Sequence, residues 1–296
     1  MFDEFKNAFH RYNNAHVQLI IINVVVFLAM AVVLVFSRAF QFPEVFQFIH
    51  DQLALPAPIG NFLQKPWTII TYAFVHDLSG VFHILFNMLV FYWFGKLFIE
   101  YLGSDKLIAL YFLGAIAGGV AYLLVYNTIP FYIERLNSFS GMVGASAAVY
   151  AIVVATATLI PEYTFFLLFL GPVKIKYIAG FYIVVSFLGS VGDNAGGNVA
   201  HLGGALMGFV YLKQLQAGVN WGNWITITIQ WFKSLFKPKP AVKITYRKNE
   251  GYVSKPSKSS KVSQEELDAI LDKISDGGYE SLSKDEKDKL FNASKK

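Results

Sequence analysis

The stretch that decides the fold reads "GMVGASAAVYAIVVATATLIP" and covers residues 141–161. Small residues surround a single serine, Ser146. An uncharged apolar run then extends from Ala147 to Ile160, where Pro161 ends it. This run predicts a membrane-type helix, but its roughly 15 residues extend only about 22 Å. Because a bilayer core is about 30 Å thick, one end of the helix should lie inside the membrane boundary, below a cavity that water can enter.

The composition is that of a multi-span membrane protein. Of the 296 residues, 55% are hydrophobic, 17% aromatic and 15% charged, whereas soluble domains carry about 25% charged residues. The mean hydropathy is +0.45. The chain has no cysteine, which excludes disulfides, thiolate metal sites and a cysteine nucleophile. The pI of about 9.1 comes mainly from the C-terminal tail, where we expect contact with lipid headgroups rather than with nucleic acid.

Six apolar segments stand out along the chain. They cover roughly residues 17–37, 82–99, 105–125, 146–160, 175–191 and 200–217. The first is long enough to cross a bilayer and lacks a small-residue cleavage site, so it predicts a span rather than a signal peptide. The sequence therefore predicts an all-α fold: a polytopic membrane bundle of six transmembrane helices, with a small cytoplasmic helical hairpin at the C-terminus.

Lysine and arginine between the segments set the predicted orientation. With the N-terminus in the cytoplasm, the inner connections hold Lys6, Arg11, Lys96, Lys106, Lys174, Lys176 and Lys213. The outer connections hold Arg38, Lys65 and Arg135. The excess of positive charge on one side favours cytoplasmic termini and a long, partly interfacial outer loop at 38–81.

Five regions follow from these patterns. They are a cytoplasmic N-terminal segment (1–16), the membrane domain (17–217), an interfacial aromatic and basic segment (218–244), a polar linker (245–260) and a helical hairpin (261–296). In the hairpin, Ser263 with Glu266 and Ser283 with Glu286 have the spacing of capping boxes. We therefore expect two short helices there.

Polar groups inside the predicted spans are costly to bury and are candidates for function. The second segment carries His83 and Asn87, four residues apart on one helical face. The fourth begins with Ser146, followed by Tyr150 one turn later, and the sixth carries His201. These even-numbered segments all run from outside to inside in the predicted topology. The polar groups should therefore lie at one depth, near the outer face.

A close contact between the fourth and sixth segments is also predicted. Gly204 and Gly208 lie on the same face as His201, and small residues let helix backbones approach each other. Such a contact would bring the Ser146 hydroxyl to the His201 imidazole. A serine at a helix N-terminus also lies beside free backbone N–H groups, which favour developing negative charge.

The remaining histidines carry no such pattern. We expect His10, His16 and His50 at the surface or in loops, and His76 in a structural role within a loop. The spans contain neither an HExxH motif nor a cluster of carboxylates, so we expect no metal site.

At these residues the chain resembles the rhomboid family of intramembrane serine proteases, in its bacterial, six-span form. The matching motifs are "HILFN" with His83 and Asn87, "GASA" with Gly144 and Ser146, and "AHLGGALMG" with His201, Gly204 and Gly208. Tyr150 stands where the family has an aromatic ring, and the resemblance covers residues 17–217. Ala147 departs from the pattern, because the family usually has glycine after the serine. The tail resembles an accessory segment of some bacterial rhomboids.

The resemblance implies cleavage of peptide bonds in or next to the transmembrane helices of membrane protein substrates, without a cofactor. Ser146 would be the nucleophile and His201 the general base of a dyad, with the imidazole packed on Tyr150. The backbone N–H of Ser146, together with His83 and Asn87, would hold the oxyanion. The small residues that would support the site are Gly144, Gly204 and Gly208. The implied location is a bacterial inner membrane.

Two other classes stay open. An inactive rhomboid-like protein that binds client helices has Ala147 as its only support in the sequence. A channel or transporter would need paired broken helices or intramembrane carboxylates, which the sequence lacks. Labelling by a serine-reactive fluorophosphonate probe separates a protease from both. The expected partners are the lipid bilayer and transmembrane protein substrates, with no nucleic acid, while the natural substrate and the oligomeric state are left open.

Overall fold

The computed structural model describes residues 13–136, 141–168, 170–236 and 263–294. The chain divides into two compact units, residues 1–237 and 238–296, and each is described by itself. The helices of the first unit are α1 (Ala15–Ala39), α2 (Pro43–Leu53), α3 (Ile59–Gln64), α4 (Thr68–Thr71), α5 (Val81–Leu102), α6 (Ser104–Thr128), α7 (Pro130–Ile133), α8 (Ser146–Leu159), α9 (Ile175–Gly189), α10 (Ala195–Gln216) and α11 (Asn223–Phe236).

The fold is mostly helical, and each of the six predicted apolar segments coincides with one helix. The largest difference is at α10, which begins at Ala195 rather than at residue 200. By length and composition, three of the described helices can cross a membrane, namely α1, α5 and α6. Helices α8 and α9 are apolar but shorter. Helix α10 is long but begins with the polar and glycine-rich stretch "AGGNVAHLGG".

A small β-hairpin departs from the predicted all-α fold. Strand β1 (Thr164–Leu167) pairs with the antiparallel strand β2 (Gly171–Lys174) between α8 and α9. Glu162, just before β1, forms ion pairs with Lys174 and Lys176. Hydrogen bonds from the two ammonium groups lower the pKa of the Glu162 carboxyl to about 2. Lys174 and Lys176, whose positive charge was used to predict the orientation in the membrane, therefore also stabilise the end of this hairpin.

Helix α8 is the central element of the bundle. Apart from the half-buried Tyr150, every residue from Ala147 to Ala157 is buried. The helix packs against α5, α6, α9 and α10. Its 14 residues extend about 21 Å. The run can be apolar throughout because its neighbours are other helices of the same chain on every side.

Small residues on two neighbours allow this close packing. A Cβ at Gly204 or Gly208 of α10 would overlap the backbone carbonyl of Ala147 or Ala151 respectively. On α6, a Cβ at Gly118 would lie 2.5 Å from the Cβ of Ala147. Helix α8 therefore lies between a glycine face of α10 and a glycine face of α6, as expected for small-residue helix contacts.

The structure corrects the expectation for His16, and several other predicted regions lie outside the residues that it describes. His16 was expected at the surface, but it is buried at the start of α1, with its ring 5.5 Å from that of Tyr92. A Cβ built on Gly95 of α5 would lie 3.0 Å from the Cβ of His16, so this histidine packs closely against α5. His10, the linker 245–260 and residues 237–244 of the predicted interfacial segment lie outside the described residues.

The interfacial segment contains helix α11. Trp224 and Trp231 are exposed, whereas Ile225 is buried, and the start of the helix packs on α6. The position of this segment at headgroup level stays a prediction, for which its tryptophans are the physical reason.

The second unit is a helical hairpin of α12 (Gln264–Gly277) and α13 (Lys284–Ala293). Both predicted capping boxes are confirmed, with the side chains of Ser263 and Ser283 accepting from the backbone N–H groups of Glu266 and Glu286. Its small core includes Ile270 and Leu282. An ion pair between Lys273 and Glu286 joins the two helices.

Candidate active site

The serine at the start of α8 and the histidine on α10 meet across the central helix contact. Ser146 Oγ lies 2.7 Å from His201 Nε2. Gly204 lies one turn after His201 and faces the backbone of Ala147, so the absence of a side chain there permits the short distance. A hydroxyl hydrogen-bonded to an imidazole is the arrangement in which the imidazole can take the hydroxyl proton.

The ring of Tyr150 supports the imidazole from one side. The two rings are stacked, with centroids 4.2 Å apart and an interplanar angle of 13°. Tyr182 of α9 packs against Tyr150, with ring centroids 5.2 Å apart. Because Tyr150 lies one turn after Ser146 on the same helix, the nucleophile candidate and the ring under the imidazole keep a fixed relative position.

A further hydroxyl, which the sequence analysis missed, reaches the other imidazole nitrogen. Ser186 Oγ of α9 lies 3.1 Å from His201 Nδ1 and donates a hydrogen bond to the Tyr150 hydroxyl at 2.9 Å. Ser186 is fully buried. The signal was present in the sequence, since a serine inside the apolar stretch "FYIVVSFLG" meets the same criterion that selected the other polar residues of the spans.

The loop before α8 is held in place by backbone hydrogen bonds. Met142 and Leu55 form an isolated antiparallel bridge, with N–O distances of 2.8 and 2.9 Å. The N–H of Gly144 donates to the carbonyl of Tyr72 at 3.0 Å. Gly144 has φ = +131°, a backbone conformation that residues with a Cβ rarely adopt. The start of α8 is thus fixed to the segment between α2 and α5.

Gly144 also leaves an open space in front of Ser146. A Cβ built on Gly144 would lie 3.6 Å from Ser146 Oγ, 3.9 Å from the Ser146 backbone nitrogen and 3.9 Å from His83 Nε2. The N–H groups in the first turn of α8 have no acceptor within the helix. The space is therefore bordered by a hydroxyl, a backbone donor and an imidazole, and it can hold a small group that develops negative charge.

The two predicted oxyanion residues of α5 behave differently. His83 borders this space, as its distance to the Gly144 position shows. Asn87 lies one turn further along, and its amide nitrogen donates to the backbone carbonyl of His83 at 3.0 Å. The structure thus brings His83 to the site, whereas the hydrogen bond of the Asn87 amide lies within α5.

A cavity of about 840 Å³ adjoins the site. Its lining includes His83 and residues 141–143 of the loop that leads to Ser146. His76 also lines it and is almost fully buried, with its ring 6.4 Å from that of His83. Burial, reinforced by His83, lowers the pKa of His76 to about 4, so His76 is neutral near pH 7. Within the described ranges, no three histidine or carboxylate side chains are grouped as metal ligands.

Comparison of the sequence with known proteins gives two family matches and several relatives. The family described as "Rhomboid domain" matches residues 63–216, and a family of unknown function (DUF6576) matches residues 257–296. RHOMBOID-like protein 12, mitochondrial, of Arabidopsis thaliana is 32% identical over 160 residues, covering 51% of this chain and 47% of the relative. Rhomboid protein 1, mitochondrial, of Saccharomyces cerevisiae is 31% identical over 180 residues, covering 58% and 47%.

Rhomboid-like protein 16, chloroplastic, of Arabidopsis thaliana is 28% identical over 166 residues, covering 51% of this chain and 49% of the relative. The chain spans about half the length of these curated relatives. Their names refer to mitochondria and chloroplasts, so they do not identify a bacterial type. The rhomboid domain match, however, takes in more than half of the sequence, including His83, Ser146 and His201. This helical membrane protein therefore belongs to the rhomboid family.

Proposed function

We propose that this protein is a serine endopeptidase that cleaves peptide bonds in or next to the transmembrane helices of membrane proteins. The observation that carries the proposal is the hydrogen bond between Ser146 Oγ and His201 Nε2, at 2.7 Å. It supports a dyad in which Ser146 is the nucleophile and His201 is the general base. No cofactor or metal takes part in this scheme.

The reaction proceeds through an acyl-enzyme. His201 Nε2 takes the Ser146 hydroxyl proton while Oγ bonds to the substrate carbonyl carbon, and the carbonyl electron pair moves onto its oxygen. When this intermediate collapses, the C–N bond breaks and the imidazolium gives its proton to the leaving nitrogen. A water molecule then attacks the ester carbonyl and gives a proton to His201. Cleavage of the ester bond returns the proton to Ser146 Oγ.

The negative oxygen of each intermediate is assigned to the space in front of Gly144. The Ser146 backbone N–H and His83 Nε2 border that space and act as donors there. Asn87 has a second amide proton beyond the one used within α5, and we assign this proton to the same oxygen. Loss of one such donor costs about 10² to 10³ in turnover.

The proposed membrane arrangement keeps six spans, with both termini in the cytoplasm and the dyad towards the outer face. It is supported by α1, α5 and α6, which can cross a membrane by length and composition, and by the packing of α8 against α5 and α6 and of α10 against α6. Water for hydrolysis reaches the site through the cavity beside His83. We assign the protein to a bacterial inner membrane on the resemblance of its tail, and the partners to the bilayer and transmembrane substrates.

The experiment that tests this proposal uses the purified full chain in detergent. The wild type should cleave a model transmembrane substrate in the presence of a chelator and should react with a fluorophosphonate probe. Ser146→Ala and His201→Ala should each reduce cleavage to background. Ser190→Ala is the matched control, because among the residues that the structure describes its hydroxyl bonds only to the Phe187 carbonyl at the end of α9. Full cleavage by Ser146→Ala, or an inert wild type, would refute the proposal.

A further inference from the structure

Ser186 is a polar residue in an otherwise apolar stretch of helix α9. Its side chain is fully buried, so its hydroxyl has no access to water and must find its hydrogen bonds within the protein. A serine inside a helix usually satisfies this need by donating to the carbonyl four residues earlier. The direction in which its hydroxyl points therefore shows whether the serine has a local role or serves another helix.

Three threonines on the helices of the bundle follow the local pattern. Thr128, Thr156 and Thr158 each donate to the carbonyl four residues earlier, at 2.6 to 2.7 Å. Ser186 instead bonds to groups on two other helices, donating to Tyr150 of α8 and lying 3.1 Å from His201 Nδ1 of α10. The Ser186 hydroxyl thus joins three helices at the imidazole.

The number of protons on the imidazole and on the Ser186 hydroxyl determines which group donates in each hydrogen bond. A neutral imidazole that accepts from Ser146 at Nε2 must carry its proton on Nδ1. That Nδ1–H donates to Ser186 Oγ, whose own proton goes to the Tyr150 oxygen. With its one proton used in this way, Ser186 Oγ can only accept from the imidazole. The chain of hydrogen bonds from Nδ1–H through Ser186 to Tyr150 thus fits the tautomer whose Nε2 is free to act as a base.

We infer that Ser186 is a positioning residue for His201 and that, together with the Tyr150 hydroxyl, it occupies the place of the third member of a catalytic triad. The inference rests on the proposed function. Ser186 remains neutral throughout: it accepts from Nδ1–H before the proton transfer and also while the imidazolium is present. A neutral acceptor stabilises that cation less than a carboxylate does, so the effect of removing it should be moderate.

The test compares three variants by kcat and KM on a model transmembrane substrate and by the rate of fluorophosphonate labelling. Ser186→Ala should lower kcat and the labelling rate by about tenfold, the equivalent of one hydrogen bond, with KM unchanged. Ser186→Thr keeps the hydroxyl and should restore most of both rates. Thr156→Val is the matched control, because Thr156 is equally buried but its hydroxyl donates to the Ile152 carbonyl of its own helix.

A double-mutant cycle distinguishes positioning from general packing. Tyr150→Phe removes only the acceptor of the Ser186 proton and should cost several-fold. Because both variants interrupt the same chain of hydrogen bonds, Ser186→Ala combined with Tyr150→Phe should be little worse than Ser186→Ala alone. If Ser186→Ala does not fold, Ser186→Cys, which has a weaker acceptor, replaces it with the same expected loss.

The outcomes separate the two proposals. If the wild type is labelled and cleaves but Ser186→Ala matches Thr156→Val, the inference is wrong and the proposed function stands. The inference also fails if Ser186→Thr does not restore activity although this variant melts at the same temperature as the wild type. It fails as well if the losses from Ser186→Ala and Tyr150→Phe add fully when the two are combined. An inert wild type overturns the proposed function and this inference with it.

Discussion

The contact between α8 and α10 should control activity through a single glycine. A Cβ at Gly204 would overlap the backbone carbonyl of Ala147. Because both partners are backbone in packed helices, no side-chain rotation can relieve the overlap. We predict that Gly204→Ala forces the helix that carries His201 away from the helix that begins at Ser146.

The expected loss follows from the distances. A comfortable contact between non-bonded atoms needs roughly 3.5 Å, so the helices must separate by on the order of 1 Å. Added to the 2.7 Å between Ser146 Oγ and His201 Nε2, this gives roughly 3.7 Å, beyond hydrogen-bond range. A misplacement of about 1 Å can cost about 100-fold in turnover. The crowding itself should cost about 1–3 kcal/mol of stability.

Turnover of a model transmembrane substrate and thermal unfolding in detergent measure the two effects. Gly180→Ala is the control for adding a methyl group to a membrane helix, because no atom of the described residues lies within 4 Å of a Cβ at that position. Gly208→Ala makes a similar overlap with Ala151 one turn further from the site. It should match the stability loss of Gly204→Ala with a smaller loss of turnover. Wild-type turnover in a destabilised Gly204→Ala would refute the reasoning.

Three further predictions concern Tyr150, the tail and Ala147. Tyr150→Ala should abolish most cleavage, because it removes the ring stacked on His201, whereas Tyr150→Phe keeps the ring and should lose only several-fold. Equal losses in the two variants would contradict this. Deleting 245–296 should leave cleavage in detergent nearly unchanged, since the hairpin forms a separate compact unit, and a large loss in a well-folded truncation would refute it. Ala147→Gly should change turnover by less than about tenfold, whereas Ala147→Leu should nearly abolish it; conversion of an inert protein into a protease by Ala147→Gly would favour the inactive-relative hypothesis.

The sequence predicted the helices well because their signal is local. Apolar runs bounded by glycine, proline and charge located the six long apolar helices within a few residues, whereas α2, α3 and α4 lie in the segment 38–81 that was predicted as a loop. The spacing of His83 and of the small residues around Ser146 and His201 was enough to bring these residues towards one place, since helical periodicity fixes which side chains share a face. The β-hairpin before α9 was missed because its strands have only four residues each.

The contributions of Ser186 and Gly144 could not be derived in the same way. Whether a lone helix serine bonds to its own helix or to a neighbour depends on the rotation of that helix against the bundle, which the apolar pattern of α9 does not specify. For Gly144, the sequence indicated only a small residue. The requirement for φ = +131° and for open space in front of Ser146 follows from how the loop is tied to Leu55 and Tyr72.

The departure at Ala147 is explained by which neighbours the two sides of this residue meet. In the structure the backbone of Ala147 faces Gly204 of α10, whereas its Cβ faces Gly118 of α6. Helix α8 continues from Ser146 with ordinary helical geometry, where alanine is favourable, so the position does not need the conformational freedom of glycine. A Cβ built on Gly118 would lie 2.5 Å from the Cβ of Ala147. The glycine at position 118 therefore leaves room for the Ala147 methyl group. With alanine at position 147, Ser146 Oγ still lies 2.7 Å from His201 Nε2, which supports the proposal of an active protease over that of an inactive relative.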